Sequence, residues 1–326
     1  MSQVENPAVT LVRLLRRYLC VVKEDGSLAN VYVSQEWYDR ELLKNHDGQI
    51  TVGLERNEEH KLSLDGNLRC RLAFARINVW VTDKPEKGVV GRSIREKICV
   101  EVNRVIREKR NTPNTIDYDY IGVGSSSETH KAYQGASNTE LAPSDSGWTE
   151  LSDSEYQKIW YSDDNHFSKS VLENGKYAFM LFRFQIDAER EVVKEIVLKS
   201  EGYGTAPAGN GAAIKVWNHS AEAWQNAVSG IGGNDETLTI TLSSNLPNYI
   251  DADGNVYLLA RTSNPSDGVT PAVLYCDYVQ TVFTVNGVTY ADIAGFRDVD
   301  EVRVKPFLWR TEFVVKTWLF ETVYAT

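Results

Sequence analysis

The stretch Val302–Tyr324, VRVKPFLWRTEFVVKTWLFETVY, decides how the rest of the chain is read. It divides at Lys305-Pro306 into two strand-like segments, because the residue before a proline is pushed towards extended geometry. In the second segment Phe313, Val315, Trp318 and Phe320 are apolar, whereas Arg310, Glu312, Lys316 and Glu321 are charged. Near-alternation of this kind marks a half-buried strand. A segment so apolar needs a sheet, and its expected partners are Arg69–Thr82 and Asp117–Val123. The residues between those segments and the final strand then form a second domain inserted into the first.

Outward from that strand, the first part of the chain alternates helices with strands. Asn6-Pro7 reads as a helix start, with Asn as N-cap and Pro in the first turn. Val9, Val12, Leu15 and Leu19 lie on one face, and Arg13, Arg16 and Arg17 lie off it. Ala29–Val33 and Gln49–Leu54 read as strands, and Ser34–Lys44 as a helix carrying Trp37 and Tyr38. In Asn67–Thr82, Cys70, Leu72 and Phe74 share one parity and Ile77, Val79 and Val81 the other, which predicts a bulge near Ala75-Arg76. Ser93–Lys109 is the clearest helix: Ser93 and Glu96 spell a capping box, and Ile94, Ile98, Val102, Val105 and Ile106 form the apolar stripe. Ile116–Val123 reads as a further strand, and Gly124–Gly147, rich in Ser, Gly and Asn, as a long loop or arm.

From about Tyr156 helical periodicity vanishes. Short strands are predicted at Tyr177–Ile186, Val192–Ser200, Ala213–Trp217, Glu236–Leu242, Val256–Arg261 and Ala272–Val285, separated by Gly/Asn/Asp turns. Regular short strands with such punctuation predict a β-sandwich. Tyr177–Ile186 is apolar on both faces, as a central strand is. The expected fold class is α+β, with a discontinuous sheet-and-helix domain at 1–157 plus 286–326 and an inserted all-β domain at 158–285.

The 326 residues, 42% hydrophobic and 25% charged, suffice for two soluble cores. No apolar run approaches the roughly 18 residues of a membrane span. Met1–Pro7 lacks the basic start and apolar block of a secretory signal, so neither a membrane nor export is expected. The net charge of −10 is uneven: 20 Lys/Arg stand against 16 Asp/Glu up to Pro113, and 15 against 29 after it. Two surfaces with different partners are one reading, and a solvated acidic surface is the plainer one. Cys20, Cys70, Cys99 and Cys276 lie too far apart for a metal knuckle or redox pair, and the first three read as reduced core residues.

No GxSxG, HExxH, P-loop or GxGxxG motif is present, and no catalytic residue is assigned. Ser125-Ser126-Ser127-Glu128-Thr129-His130 sets hydroxyls beside a histidine, but with neither an orienting acid nor an oxyanion site it reads as a polar loop. The chain is therefore not expected to be an enzyme, and no cofactor is assigned. Asp163, Asp164, Asn165, Glu173 and Asp277 offer oxygen ligands of the kind calcium takes. Their spacing fits no calcium-loop motif, and no metal site is assigned. Asp251-Ala252-Asp253-Gly254-Asn255 reads as a hairpin turn. Trp217, Trp224, Tyr203 and Tyr249 are candidates for a sugar-stacking platform, set against ordinary packing of aromatic residues in a sandwich. Arg92, Arg95, Arg104 and Arg107, on the basic helix, are candidates for a ring interface or for a positive lining around passing DNA.

Two family resemblances follow. The opening helix, Ala29-Asn-Val-Tyr-Val-Ser34, Gln49-Ile-Thr-Val52, the strand ending Asn78-Val-Trp-Val81, and Gly91-Arg-Ser-Ile-Arg-Glu-Lys-Ile98 leading into a basic helix resemble, with the final strand, the tail terminator (tail-completion) proteins of long-tailed viruses. That resemblance spans 1–161 plus 288–326. It implies a hexameric ring at the head-proximal end of the tail tube, which stops tube growth and docks onto head-completion proteins of the neck. The expected partners are then further copies of the chain, the tail tube protein, a neck protein and passing viral DNA. The expected location is the virion of a tailed virus infecting archaea, assembled in the host cytoplasm.

Over 158–285, Ile214-Lys-Val-Trp-Asn-His219, Ala223-Trp224, Asp235-Glu-Thr-Leu-Thr-Ile240, Tyr249–Arg261 and Leu274-Tyr-Cys-Asp-Tyr-Val279 resemble jelly-roll modules of archaeal surface and viral proteins, which are similar to carbohydrate-binding domains. That implies a sandwich decorating the ring. The alternatives are a tail-fibre or baseplate adhesin that binds host glycans, and a glycan-processing enzyme with an accessory binding module.

Overall fold

The computed structural model describes residues 3–63, 68–84, 90–301, 303 and 305–322. Val302, Val304 and residues 323–324 of the opening stretch lie outside the described residues, as do 325–326 and most of the Asp83–Gly91 connection. Two compact units divide the chain, one holding 117–285 and the other Gln3–Ile116 with Asn286–Thr326. The class is α+β, mainly β, with a β-sandwich.

In the α+β unit, α1 (Pro7–Tyr18), β1 (Val31–Ser34), α2 (Arg40–Asn45), β2 (Gly48–Lys61), β3 (Leu68–Thr82) and α3 (Gly91–Glu108) come first. The other unit follows with β4 (Thr115–Asp119), β5 (Lys131–Ser137), β6 (Thr149–Glu150), α4 (Asp153–Tyr156), β7 (Phe167–Val171), β8 (Tyr177–Gln185), β9 (Val193–Thr205), β10 (Ala212–Asn218), β11 (Ala223–Ser229), β12 (Glu236–Leu242), β13 (Asn255–Thr262) and β14 (Ala272–Val285). The chain then returns through β15 (Tyr290–Asp298) and β16 (Leu308–Thr322).

The first sheet runs β1-β2-β3-β16-β15. β16 lies antiparallel to β3 from Leu308 opposite Thr82 to Thr322 opposite Leu68, without a register shift. The Arg69–Thr82 partner is thus as expected. Asp117–Val123 is not the second partner: β4 joins β14 in the other unit, and β15 takes the place beside β16. The buried face carries Ala73, Ala75, Ile77, Val79 and Val81 of β3 with Phe313, Val315 and Leu319 of β16. α1 and α3 pack against this sheet with Leu11, Leu14 and Leu15 and with Ile98, Val102 and Val105 buried. Odd positions face this core, so Phe320 of the expected apolar set is half exposed. The predicted bulge is real but sits in the partner strand, between Leu54 and Arg56 of β2, opposite Ala75 and Phe74.

Local details depart from the sequence where tertiary contacts outweigh local signals. α1 starts as read, with the Asn6 side chain accepting from Ala8 N at 2.9 Å. Arg13 is buried and paired with Glu5 rather than off the apolar face. α3 begins at Gly91, so Ser93 is inside the helix and forms no capping box; Asp83 Oδ1 accepts from Gly91 N at 2.8 Å instead. Of the expected Ser34–Lys44 helix only Arg40–Lys44 is helical, within α2, and Trp37 is 93% exposed. Cys20 is exposed, contrary to its reading as a core residue.

The second unit begins at Asp117 rather than at residue 158. The reason lies in the segment read as a long loop or arm: Lys131–Ser137 is a strand that pairs residue by residue with β8, Lys131 opposite Arg183 through Ser137 opposite Tyr177. Two sheets result, ordered β11-β10-β13-β8-β5-β6 and β12-β9-β14-β4, with β7 also on β14. β8 is an interior strand with Ala178–Phe182 buried, as its two apolar faces require. Tyr120, fully buried, places its hydroxyl between the carbonyls of Lys131 (2.9 Å) and Arg183 (3.1 Å), fastening the β5 segment to β8.

Candidate functional site

The densest chemistry in the β-sandwich unit lies where three segments meet at one end of the β9–β14 sheet. β14 carries a bulge between Cys276, opposite Gly202 of β9, and Tyr278, opposite Glu201. Asp277 is the extra residue, and a bulge re-aims a side chain that regular pairing would send elsewhere. On its other edge Gly202 faces Glu236, the first residue of β12, so Asp235 arrives beside the bulge. Phe167, the first residue of β7, pairs with Cys276, which brings in the turn that carries Asp164. Gly202 has φ +151°, and a Cβ there would lie 2.1 Å from the Tyr275 carbonyl oxygen, so the close approach admits only glycine.

Carboxylate oxygens of Asp164, Asp235 and Asp277 all lie within 4.8 Å of one another. Asp164 is exposed, Asp235 half buried and Asp277 1% exposed. Neither oxygen of Asp277 has a hydrogen-bond partner. Burial raises the Asp277 pKa, and the nearby Asp164 N–H and His166 ring offset this only in part. His166 Nε2 lies 2.8 Å from both oxygens of Asp235. The His166 ring stands edge-on to Tyr203 and Tyr275, which stack at 4.4 Å. Cys276, buried beside them, has its thiol pKa pushed up by desolvation.

Of the oxygen donors singled out in the sequence, Asp164 and Asp277 come together. Glu173 does not, being ion-paired with Lys176. Asp235 has no such signal in the sequence, because 69 residues separate it from His166 and the pairing of β7 with β14, and of β14 and β12 with β9, unites them. Asp251 serves as a turn residue, its Oδ1 accepting from Asp253 N and Asn255 N at 2.9 and 2.8 Å.

The aromatic candidates do not form one platform. Trp217 and Trp224 face each other across β10 and β11, edge to face at 5.0 Å. The Trp224 indole donates to Leu141 O at 2.8 Å. Tyr249 is buried, with its hydroxyl between Asn226 and Gln225 of β11. Tyr203 belongs to the other sheet, against Tyr275. Ser125 and His130 form no catalytic pair: Ser125 Oγ donates to Asp153 and His130 Nδ1 accepts from Gln185 N.

The arginines on α3 are largely matched with acids. Arg92 pairs with Glu96, and Arg104 with Glu101 and Glu108. Arg95 is 3% exposed, pairs with Asp298 and Asp300, and so presents no charge to a passing polyanion. Arg107 is exposed. Beside Arg95 a groove of 240 Å³ separates α3 from β15 and β16, lined by Cys99, Val100, Asn103, Phe296 and Phe313 among others. Val100 and Phe296 are 66% and 68% exposed there. On β2, β3 and β16, Trp80 is stacked on Tyr38 at 4.5 Å and covered by the Arg310 guanidinium at 4.6 Å. Among the described residues no helix is long and apolar enough to cross a membrane.

Residues 127–285 match a protein family described as "Uncharacterized protein, C-terminal domain". No curated protein matches the chain. Among solved structures, the enzymatically active domain of tailspike protein 4 of bacteriophage CBA120 is 9% identical, covering 53% of this chain and 19% of its own, with a TM-score of 0.23. The cryo-EM structure of Broad Bean Stain Virus is 8% identical, covering 50% of this chain and 84% of its own, with a TM-score of 0.20. The chain thus spans about a fifth of the length of the tailspike domain it matches. Likenesses this faint carry no argument about function.

Proposed function

We propose that the chain is a structural protein of a tailed virion. In this reading the α+β unit acts as a tail terminator, closing into a ring between the tail tube and the head-completion proteins of the neck. The sandwich, as a jelly-roll module, decorates that ring. The observation that carries the reading is the outer edge of the first sheet beyond Ala291, whose N–H is taken by the Arg110 carbonyl. β15 is an edge strand whose outer residues are exposed, and the exposed apolar side chains of Phe296 and Val100 flank the groove beside it. An edge strand next to an apolar groove suits self-association by strand addition and side-chain insertion. When that contact is head-to-tail and the rotation closes, it generates a ring. Because Arg95 is buried and Arg92 and Arg104 are ion-paired, the reading rests on this edge and not on a basic lumen.

Native mass spectrometry and negative-stain imaging of the purified chain test it, together with purified tail tubes. A closed ring, in solution or on tube ends, that Phe296→Asp abolishes without unfolding the protein is the expected result. Monomers that neither close nor bind tube ends would sink it. Trp217 and Trp224, paired at the edge of the β10–β13 sheet and each partly exposed, favour a second reading, an adhesin that binds host glycans. A glycan array on which wild type binds and Trp224→Ala does not would support that reading instead.

A further inference from the structure

Asp277 sets an electrostatic problem that its own unit does not solve. A carboxylate removed from water is ordinarily paired, hydrogen-bonded or bound to a metal. Asp277 is 1% exposed and neither oxygen has a hydrogen-bond partner. Two further carboxylates, Asp164 and Asp235, point their oxygens at the same spot, adding like charge where a counter-charge is needed. His166 is the neighbouring group able to carry positive charge, and its Nε2 is engaged with Asp235. A cation at the meeting point of the three carboxylates removes both the repulsion and the missing partner.

We propose that Asp164, Asp235 and Asp277 bind one calcium ion. The donor set is hard oxygen, with the one adjacent ring nitrogen already occupied, which selects an alkaline-earth ion over zinc or copper. Magnesium demands near-ideal octahedral geometry and gives up its water reluctantly, so three carboxylates drawn from separate segments suit the more tolerant calcium shell better. Three carboxylate oxygens within 4.8 Å of one another can share one ion. Carbonyls and waters complete the six to eight ligands that calcium takes. The ion ties the turn before β7 and the start of β12 to the β14 bulge, adding to their backbone pairing and to the His166–Asp235 contact. The proposal is independent of the ring reading, since a monomer holds the complete donor set.

The test uses the full chain stripped with EDTA and titrated with calcium chloride in a calorimeter, with thermal unfolding followed in parallel. One calcium per chain and a rise in Tm are expected, with magnesium chloride binding more weakly. Terbium chloride, excited through the tyrosine band, should luminesce at this site because Tyr203 and Tyr275 stand beside His166 and Asp235, and calcium should quench the signal by displacement. Asp277→Asn removes the buried charge while keeping its shape, so it should fold, lose calcium binding and no longer gain Tm. Asp164→Asn, at an exposed position, carries the same test if Asp277→Asn does not fold. Folded wild type that takes up no calcium at millimolar concentration, an Asp164→Asn or Asp277→Asn variant that binds as wild type does, or tighter binding of magnesium would each overturn the proposal.

Discussion

Glu5 and Arg13 form an ion pair inside the α+β unit, with side chains 5% and 3% exposed. Arg13 Nη1 donates to Glu5 Oε2 at 2.9 Å and Nη2 to Oε1, and the Thr10 hydroxyl donates to Oε2 at 2.6 Å. The chain just ahead of α1 is thereby fastened to the side of the helix that follows it. Removing the Glu5 charge leaves the buried Arg13 guanidinium without its carboxylate. Glu5→Gln should therefore cost about 3–5 kcal/mol, and Glu5→Leu combined with Arg13→Met should recover most of the loss. Urea denaturation of the single and double variants checks this; a single variant within 1 kcal/mol of wild type would show that the pair is not buried in solution.

Asn6→Ala should lower stability by about 1 kcal/mol, because it deletes the side-chain acceptor for the Ala8 N–H at the start of α1. Asn6→Asp keeps the acceptor and should sit near wild type. Equal losses in both variants would assign the effect to something other than capping.

Gly202→Ala should destabilise the sandwich by several kcal/mol, since the new Cβ meets the Tyr275 carbonyl and a positive φ adds strain of about 1–3 kcal/mol. Because Gly202 pairs with both Cys276 and Glu236, the same change displaces Asp235 from Asp277. Wild-type unfolding of Gly202→Ala in denaturant would mean that the strands are less closely apposed than described.

His219 gives a pH dependence of definite sign. Burial pushes its pKa below the ordinary 6.5, more than Asp251 pulls it up, and Nε2 is buried without a hydrogen-bond partner. The folded state then binds fewer protons than the unfolded one at this residue. Its contribution is full above pH 6.5 and is lost as pH falls through 6.5 towards the depressed folded value. Chemical unfolding between pH 5 and 7.5 should show stability falling on acidification, with a shallower slope in His219→Gln. An unchanged slope in that variant would assign the dependence to other groups.

The parts of the fold that the sequence revealed are those where side chains alternate strongly. β16 and β3 declare themselves through Phe313, Val315, Ile77 and Val79, and the sandwich through β8 and β14. β5 did not, because Lys131-Ala-Tyr-Gln-Gly-Ala-Ser137 is small and polar, and the β8 backbone draws it into the sheet. The capping-box pattern at Ser93 misleads because Asp83, eight residues before Gly91, supplies the acceptor from outside the helix. At the carboxylate cluster, composition pointed to Asp164 and Asp277 but also to Glu173, which a lysine three residues on neutralises. Asp235 carries no local signal at all. Its role is written in strand order, which periodicity does not encode.

The pairing of β3 with β16 also bears on how the protein is made. Phe313 meets Ile77 across more than two hundred residues of intervening chain, and β16 occupies an interior place in its sheet. Contacts so distant in sequence are slow to form. During synthesis α1 to α3 and β1 to β3 emerge before the sandwich, with the apolar face of β3 lacking its neighbour. The sandwich, continuous from Asp117 to Val285, can collapse before β16 has been translated. The segment made before the sandwich is then the later of the two to acquire its tertiary structure, and the hydrophobic edge it exposes meanwhile is where a chaperone would have to act.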